Sequence, residues 1–463
     1  MKQIGIIVMQ ITSGLIMISV FNSCAVVKIP YFKTGYYQKT VSRLDSLKTE
    51  LITSNDSIFA GFSRISITPD LKKTSKNHKD RKQNKVPIAG FGKPGGRYAA
   101  AVHDSIFIKA VAIKTGQQIV VLVSGDLLIM PPNIIDSVTV LLSREGVMRD
   151  KLFFSATHTH SSIGGWGHGL VGTIFAGKEN ISLEKWLTGK ICRAVLDAIS
   201  DLRPSKLGSG SFNGSPFTRN RLTGNKGIKN DDFNFLVVEQ TGHKKAVIGS
   251  FSAHATTIGG KNIQLSADYP GYWERKMESN TFDLAMFCGG SMGSQSPVGH
   301  GNGYENAKFI GVTLADSLSS HLKKITLNEK VTLSSLSLKI ILPEYHFRMT
   351  TNINFSTRFS TRLMPLPKNV YLQALRINNL IWIFTPCDFS GESAVQIKNS
   401  LSAKGYEAMV TGYNGSYIGY LIPGKYFYLD HYETKLMGWF GPTMGDYAMD
   451  LIDQMSNAII LNK

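Results

Sequence analysis

The residues best placed to do chemistry are two histidines, His158 and His160, which closely follow the apolar segment Leu152–Ser155. In an extended chain, residues two positions apart point to the same side. The two imidazoles could therefore converge on one metal ion or one substrate. Small residues nearby, among them Thr159 and Gly164, leave room for such a ligand. A hydrogen-bonded structural pair of histidines is the alternative interpretation.

A third histidine, His254, follows a second apolar segment, Ala246–Phe251, and is again surrounded by small residues. Alone, a histidine in such a place is more often hydrogen-bonded in the core than bound to a metal. Together with His158 and His160, it fits the ligand sets that hold catalytic zinc and leave one position open for water, which are three histidines or two histidines and a carboxylate. Asp388 follows a third apolar segment and could supply the carboxylate, or it could cap the next helix.

Two further loops carry polar groups that could face a ligand. The segment Phe287–Pro297 is rich in glycine and serine and contains Ser296, but it matches neither the GxSxG nucleophile elbow nor the phosphate-binding loop. The segment Gly412–Tyr420 contains tyrosines, of which Tyr417 and Tyr420 could donate phenol groups. A tight structural loop and ordinary packing are the alternatives for these two segments.

Strand-like apolar segments alternate with segments of helical periodicity, which predicts an α/β fold. The predicted strands are Ile106–Ile113, Ile119–Ser124, Leu152–Ser155, Phe235–Glu239, Ala246–Phe251, Leu284–Cys288, Tyr371–Ile377 and Leu380–Thr385. The predicted helices are Asn133–Arg144, Leu183–Leu202, Asn306–Lys324, Ser393–Lys404 and Met444–Ile460. The segment Val331–Leu342 has the pattern of an antiparallel edge strand, so we expect mixed β-sheets flanked by helices in a single large catalytic domain.

The composition excludes several classes of protein. With 463 residues, 43% hydrophobic and 18% charged, the chain can form a core, which argues against disorder, a collagen-like fibre and a polytopic membrane protein. The formal net charge of +18 could indicate nucleic acid or an anionic surface as a partner. The densest basic segment, residues 72–85, has no aromatic side chain to stack on a base. We therefore expect a solvated loop there and no nucleic-acid binding.

The N-terminal residues predict export. Lys2 is followed by the apolar run Ile4–Val20 and then by Ser23 and Cys24, in the order found in a bacterial lipoprotein signal peptide. We expect a membrane-anchored lipoprotein of the cell envelope, periplasmic or surface-exposed. An uncleaved transmembrane anchor is the alternative, because the apolar run is close to the minimum length that spans a bilayer.

These features divide the chain into three parts. We expect a signal peptide of the lipoprotein type over residues 1–23 and a tether with a short helix over 24–57. The catalytic domain is expected over 58–463.

The candidate segments, taken in order, resemble the neutral/alkaline ceramidase family, secreted zinc amidases that cleave the N-acyl bond of ceramide. The similarity extends to a series of short motifs spread along the chain. The motifs are Gly61–Pro69, Ala89–Gly92, His103–Asp104, Ser155–Ser161, Asn220–Arg221, Ser266–Tyr272, Ser296–Pro297, Tyr417–Tyr420, Tyr432–Glu433 and Phe440–Pro442. The resemblance covers the catalytic domain of the family, and we expect its C-terminal immunoglobulin-like domain to be absent.

The resemblance implies a role for each candidate residue. The implied ligands of a Zn2+ ion are His158, His254, Asp388 and Tyr420. The residues that would face the substrate are His160 and Arg221, with Ser296 also at the active site. His160 is the first choice for protonating the leaving amine. Whether Ser296 acts as a nucleophile or as a hydrogen-bonding neighbour stays open.

The sequence departs from the family pattern at three places. The family's Pro-Gly-Glu step is Pro-Cys-Asp here and ends at Asp388, which shortens the carboxylate and leaves Glu392 as an alternative ligand. The tyrosine loop carries an extra residue, so Tyr417 competes with Tyr420 for the last ligand position. The loop that contains Ser296 has lost an acidic residue.

The function that the resemblance implies is that of a zinc-dependent amidohydrolase. It would cleave the N-acyl amide bond of ceramide-like sphingolipids to a sphingoid base and a fatty acid. The expected partners are this lipid and, through the anchor, a membrane surface; the oligomeric state is not predicted. The alternatives are an exported zinc hydrolase of another amide or ester, and a non-catalytic surface-binding lipoprotein of the same fold.

The lipoprotein hypothesis predicts the outcome of one substitution. Replacing Cys24 by alanine removes the thiol to which the lipid would be attached. Cys24→Ala should therefore abolish the incorporation of labelled fatty acid into the protein in growing cells. Undiminished labelling of the variant would contradict lipidation at this residue.

Overall fold

The computed structural model describes residues 23–71 and 85–462. The predicted signal peptide therefore lies outside the described residues apart from its last position, and so does almost all of the basic segment 72–85. Export, lipidation and the solvated basic loop remain predictions. Among the residues that are described, no helix is both long enough and apolar enough to cross a membrane.

The secondary structure follows the predicted alternation of strands and helices. The strands are β1 (Ser23–Ala25), β2 (Thr53–Ser66), β3 (Pro87–Ile88), β4 (Arg97–Tyr98), β5 (Ala101–Val102), β6 (Phe107–Thr115), β7 (Gln118–Gly125), β8 (Leu152–Ala156), β9 (Arg203–Asn213), β10 (Thr218–Asn220), β11 (Asp232–Gln240), β12 (Lys245–Phe251), β13 (Gln264–Leu265), β14 (Leu284–Gly289), β15 (Gln295–Pro297), β16 (Lys330–Lys339), β17 (Ile353–Phe355), β18 (Tyr371–Ile377), β19 (Leu380–Phe384), β20 (Asp388–Phe389), β21 (Glu407–Thr411) and β22 (Tyr420–Leu421). The helices are α1 (Gly35–Thr49), α2 (Pro132–Arg144), α3 (Gly169–Ala176), α4 (Ile181–Ser200), α5 (Asp268–Asn280), α6 (Tyr304–His321), α7 (Thr357–Leu363), α8 (Gly391–Ser402) and α9 (Met444–Leu461).

The main strands form one large mixed sheet. Within the described residues it contains twelve strands, nine of them in the order β14-β12-β11-β9-β2-β16-β18-β19-β21, with β6, β7 and β8 branching from β2. The pairs β7–β8, β12–β14 and β19–β21 are parallel, and the other pairs along this sheet are antiparallel. The predicted α/β fold with a mixed sheet flanked by helices is confirmed.

Alternating residues of the strands enter different apolar clusters, which shows how the layers stack. On β6, Ala110 and Ala112 face the helices α2, α4 and α5, whereas Val111 and Ile113 enter a cluster formed by residues of the strands alone. That cluster collects side chains from β2, β8, β12, β14, β18 and β19. Two portions of the sheet therefore pack face to face, and helices cover their outer faces. This follows because successive side chains of a strand point to opposite faces of the sheet.

The prediction of an edge strand at Val331–Leu342 was only half right. The strand is antiparallel, but it is internal: β16 pairs with β2 on one side and β18 on the other. Its alternating pattern had suggested an edge. Alternation reports which face of a strand is buried, and it carries no information about whether both edges are paired.

The segment predicted as a tether is part of the folded body. Helix α1 buries Leu44 in the apolar cluster shared by β16, β18, α8 and α9. Strand β2 begins at Thr53, so the predicted boundary between residues 57 and 58 falls inside this strand.

The carboxyl ends of several strands meet at one place. The N–H of Gly412, after β21, donates to the carbonyl of Gly289 at the end of β14, at 2.9 Å. The hydroxyl of Ser155 on β8 donates to the carbonyl of Gly412 at 3.2 Å. The loops that follow β8, β14 and β21 therefore lie against one another, and these loops carry candidate site residues.

Candidate functional site

His158 and His160 lie in the loop after β8 and converge, but in a different way from the predicted one. The backbone of His158 has φ of +60°, in the left-handed region that non-glycine residues rarely adopt. Its Nδ1 lies 2.6 Å from the carbonyl oxygen of Leu128, so Nδ1 carries the proton and the Nε2 lone pair is free. The two Nε2 atoms are 3.3 Å apart. A turn of the chain brings them together, and not the shared face of an extended segment.

His160 is held in the opposite tautomer. Its Nδ1 accepts a hydrogen bond from the backbone N–H of Phe91 at 3.3 Å, which leaves the proton on Nε2. Gly90 makes this placement possible, because a Cβ at that position would lie 2.7 Å from the Cβ of His160. His160 therefore presents an N–H donor next to the free lone pair of His158.

His254 follows β12 and is oriented by the glycine and serine loop. Its Nδ1 lies 2.7 Å from the carbonyl oxygen of Met292 and 3.2 Å from that of Gln295. As in His158, this contact fixes the proton on Nδ1 and frees Nε2. One ring nitrogen from each of His158, His160 and His254 lies within 4.8 Å of the other two. The structure thus brings the three predicted histidines together.

Asp388 supplies a carboxylate to the same place. Its Oδ1 lies 3.7 Å from Nε2 of His158 and 3.6 Å from Nε2 of His254. Residue 388 is in the short strand β20, and the following helix α8 is capped at Ser390. The alternative ligand Glu392 instead contacts the ammonium of Lys425 and accepts a hydrogen bond from Tyr426 at 2.8 Å. The shorter carboxylate is thus the one that faces the histidines.

Tyr420 faces the histidines because β22 pairs in parallel with β20, with Tyr420 opposite Asp388. Its hydroxyl oxygen lies 3.1 Å from Nε2 of His254. The hydroxyl of the competing Tyr417 donates to Oδ2 of Asp388 at 2.7 Å. The positions favour Tyr420 as the fourth ligand and give Tyr417 a hydrogen bond to the carboxylate.

Tyr413 is a site residue that the sequence did not reveal. Its hydroxyl donates to Oδ1 of Asp388 at 2.7 Å, and its ring stacks on His158 with 4.3 Å between centroids. It also has a left-handed backbone, with φ of +69°. In the sequence, Tyr413 was recognisable only as a tyrosine in a loop of glycine and asparagine. Tyrosines that pack in loops without a functional role have the same pattern.

Arg221 joins the cluster from the segment after β10. Its Nη2 donates to the hydroxyl oxygen of Tyr420 at 3.0 Å and lies 3.4 Å from Nε2 of His254. Its Nε lies 2.6 Å from Oε1 of Glu433, a buried carboxylate in a π-helical turn. The other oxygen of Glu433 contacts Nδ1 of His431. Glu433 was noticed in the sequence only as part of a motif, and its contact with Arg221 was not expected.

Ser296 lies outside this cluster. It lies on β15, opposite Arg219 of β10. Its hydroxyl oxygen accepts a hydrogen bond from Nε of Arg219 at 3.3 Å, and the Arg219 side chain is exposed. Of the predicted site residues, His158, His160, Arg221, His254, Asp388 and Tyr420 come together and Ser296 points elsewhere.

Burial sets the charge states of these groups. It lowers the pKa of His158, and it lowers the pKa of His160 and of His254 well below the ordinary value, with Arg221 acting in the same direction. The three imidazoles are therefore neutral at pH 7. Burial and the nearby Asp388 raise the pKa of the Tyr420 hydroxyl. Burial alone would lower the pKa of Arg221, but Tyr420, Glu433 and Asp388 raise it overall.

The donor set fits a zinc ion. Two neutral imidazoles offer free Nε2 lone pairs, and a carboxylate and a phenol oxygen lie beside them. Zinc binds nitrogen and oxygen ligands of these kinds, and a zinc ion with four protein ligands can expand to five-coordination to bind a water molecule. In both His158 and His254 the second ring nitrogen, Nδ1, donates to a backbone carbonyl, which is the usual support for a metal-binding imidazole.

A cavity of about 600 Å³ leads to this cluster, and its walls include His158, His160, Asp388 and Tyr420. Apolar side chains dominate the remaining lining. They include Leu128, Ile129, Trp166, Phe175, Met364 and Trp439. A cavity of this size with a few polar groups at one end suits an amphiphilic ligand.

The mixed α/β layers are those of a known class, because the chain has the fold of the neutral ceramidases. The neutral ceramidase from Pseudomonas aeruginosa is 18% identical with a TM-score of 0.74, and the match covers 88% of this chain and 74% of that one. A ceramidase complexed with C2 is 17% identical, again with a TM-score of 0.74, over 88% of this chain and 75% of that one. No protein-family model and no curated protein sequence matches the chain. At 17–18% sequence identity, this structural similarity establishes the fold.

The two carboxylates near the C-terminal loops should differ in their effect on zinc. Asp388→Asn should lower the affinity for zinc at least 10- to 100-fold, because it removes a charged donor that faces His158 and His254. Glu392→Gln should leave zinc affinity unchanged, because that carboxylate is bound to Lys425. Titration with a zinc chelator measures both. The reverse order would show that Glu392 is the ligand.

Glu433 should influence zinc through Arg221. Glu433→Ala removes the carboxylate that fixes Nε of Arg221, so the guanidinium loses its position beside Tyr420 and His254. We expect about a 10-fold loss of zinc affinity, as is typical when a group behind a ligand is removed. Glu392→Ala is the matched control, because it also removes a buried carboxylate that is paired with a cation.

Both alanine variants should lower the thermal midpoint, since each removes a buried carboxylate together with the contacts that it makes. Only Glu433→Ala should change the absorption spectrum of the cobalt-substituted protein. Equal spectra and zinc affinities for the two variants would mean that Glu433 has a structural role alone.

Proposed function

We propose that this protein is a zinc-dependent amidohydrolase that cleaves the N-acyl amide bond of ceramide-like lipids. The observation that carries the proposal is the convergence of His158, His254, Asp388 and Tyr420 at the wall of an apolar cavity. The neutral ceramidase fold supports the reaction class. The products would be a sphingoid base and a fatty acid.

A zinc ion at this cluster would supply Lewis acidity and would lower the pKa of a water molecule to about 7. His158 and His254 are pre-oriented to hold it, since their Nδ1 atoms are fixed by backbone carbonyls. Tyr413 and Tyr417 orient the carboxylate of Asp388 through both of its oxygens. The four ligands therefore need little rearrangement on binding.

His160 and Arg221 are suited to stabilise negative charge on the carbonyl oxygen of the substrate. His160 presents Nε2–H beside the ligand position of His158, and Arg221 presents Nη2 beside Tyr420. A single pre-oriented donor to such an oxyanion is worth about 3 kcal/mol where it has been measured. We expected His160 to protonate the leaving amine, but its neutral form has no free lone pair on Nε2 to collect and pass on a proton. Its tautomer therefore favours the donor role to the oxyanion over that expected role.

The cavity explains a preference for a lipid amide. Each methylene that leaves water for an apolar site contributes about 0.8 kcal/mol. A long acyl or sphingoid chain in this cavity would therefore bind far more tightly than a short one. The apolar walls would also limit access of bulk water to the reacting amide.

The place of action that we propose is the cell envelope. A signal peptide ending at Ser23 and a lipid on Cys24 would hold the enzyme at a membrane, where ceramide-like lipids reside. An uncleaved N-terminal anchor would have the same consequence. Labelling with fatty acid distinguishes these two cases.

Zinc content and turnover of the purified, zinc-loaded protein test the proposal. It should hydrolyse a long-chain ceramide with a higher kcat/KM than the N-acetyl analogue, because the apolar cavity contributes to binding. An enzyme that binds zinc fully but prefers short amides or esters would contradict the ceramide assignment. A protein that binds no zinc would contradict the whole proposal.

The paired histidines provide the matched variants. His158→Ala should remove most of the bound zinc. His160→Ala should retain zinc but lower kcat and kcat/KM together by about 100-fold, as expected for a contact made only in the transition state. Equal loss of zinc in both variants would show that His160 is a ligand.

A further inference from the structure

One side of the cavity mouth is formed by a short apolar helix. Helix α3 has the sequence GLVGTIFA and carries no charged residue. Val171 and Phe175 on this helix line the cavity, whereas Leu170 is 60% exposed. Leu170 therefore extends the apolar lining of the cavity onto the outside of α3. Contiguous apolar surface, and not a single exposed leucine, marks a site that contacts lipid or protein.

The adjoining side of the mouth is basic. Helix α7 contacts α3, and the residues that follow it, Met364–Lys368, line the cavity. Arg358 and Arg362 are exposed and four residues apart, so they share one face of α7. Lys368 is also exposed. We call α3 together with residues 357–368 the rim.

The sequence around the basic side of the rim contains no acidic residue over a long stretch. Neither aspartate nor glutamate occurs between positions 345 and 387. The N-terminal segment 25–44 is likewise free of acids, and it contains the exposed Lys28 and Lys33. These two segments therefore carry basic side chains and no acidic one.

The N-terminal segment lies next to the rim. Strand β1 pairs antiparallel with β17, with Cys24 opposite Asn354, and β17 leads directly into α7. Val27 and Ile29, which follow β1, are 66% and 52% exposed. The residue that we expect to carry a lipid thus lies beside the same basic and apolar surface.

Two acidic residues close to the rim have local partners. Asp136 accepts a hydrogen bond from Asn369 at 2.9 Å, and Glu179 lies 2.7 Å from Nδ1 of His168. Both acidic side chains therefore have hydrogen-bonding partners outside α7.

We propose that the rim docks onto the surface of an anionic phospholipid bilayer, with Leu170 inserted and Arg358 and Arg362 at the headgroups. Exposed apolar side chains flanked by arginine and lysine are the composition of helices that lie in a membrane interface. The cavity then opens toward the bilayer, so an amphiphilic ligand can enter it without crossing water. The docking itself is independent of the proposed hydrolysis.

Hydrogen exchange of the full chain, read by mass spectrometry, tests the proposal. The probes are vesicles of phosphatidylcholine alone and vesicles that also contain phosphatidylglycerol. Amides of residues 169–176 and 357–368 should exchange more slowly with the anionic vesicles than with the neutral ones. Amides of α6 should be unaffected by either. Slowing at the rim that is equal for both vesicle types, or absent, would overturn the proposal.

Matched charge variants identify the contact. Arg358→Gln with Arg362→Gln should lower the ratio of docked to undocked rim about 30-fold, because each basic residue near an anionic surface contributes about 1 kcal/mol. Lys323→Gln with Lys324→Gln removes the same charge from the exposed turn after α6 and should leave the ratio unchanged. An equal effect of both double variants would mean that net charge, and not the rim, is responsible.

A conservative variant guards against misfolding. Arg358→Lys with Arg362→Lys keeps the charge and should keep the protection by anionic vesicles. Loss of protection in this variant with an unchanged thermal midpoint would overturn the electrostatic docking. Because exchange is measured without substrate or zinc, failure of the proposed hydrolysis would leave this result interpretable.

Discussion

The buried carboxylate of Asp388 is the group on which the arrangement of the site depends. Moving an ionised carboxylate out of water costs several kcal/mol unless donors or cations surround it. Here Tyr413 and Tyr417 donate to its two oxygens, and Oδ1 also faces Nε2 of His158 and His254. The loop after β21, which carries both tyrosines, must therefore be in register with β20 before the charge is satisfied.

The stacked layers of the sheet provide that register. Strands β8, β14 and β21 come from distant parts of the sequence, but their carboxyl ends are joined by the hydrogen bonds of Ser155 and Gly412. The apolar cluster between the layers fixes the strands behind them. The pairing of β20 with β22 then places Asp388 directly opposite Tyr420.

Local sequence patterns predicted strands, helices and candidate site residues. They did not reveal features that depend on contacts between distant segments of the chain. Strand and helix periodicity reports burial of one face, so the elements that were predicted agree with the structure within a few residues. Strands β2, β9 and β21 and helix α5 were not predicted. The internal position of β16, the left-handed turn at His158 and the contacts of Tyr413 and Glu433 arise from segments far apart in the chain. No spacing within one segment could reveal that Glu433 holds Arg221, which lies more than two hundred positions away.

The proposed membrane surface and the histidine cluster belong to one continuous segment. Residues 161–167 connect the loop of His160 to α3 and are buried throughout. The N–H of Gly164 donates to the carbonyl of Pro87 at 2.7 Å, and the N–H of Asn180 donates to the carbonyl of Gly165 at 2.7 Å. Both ends of the segment that carries α3 are thus fixed to the body that holds the histidines. The distance from the rim to the cluster is therefore set by the fold. In the proposed reaction this distance would set the length of lipid chain that can place an amide beside His158.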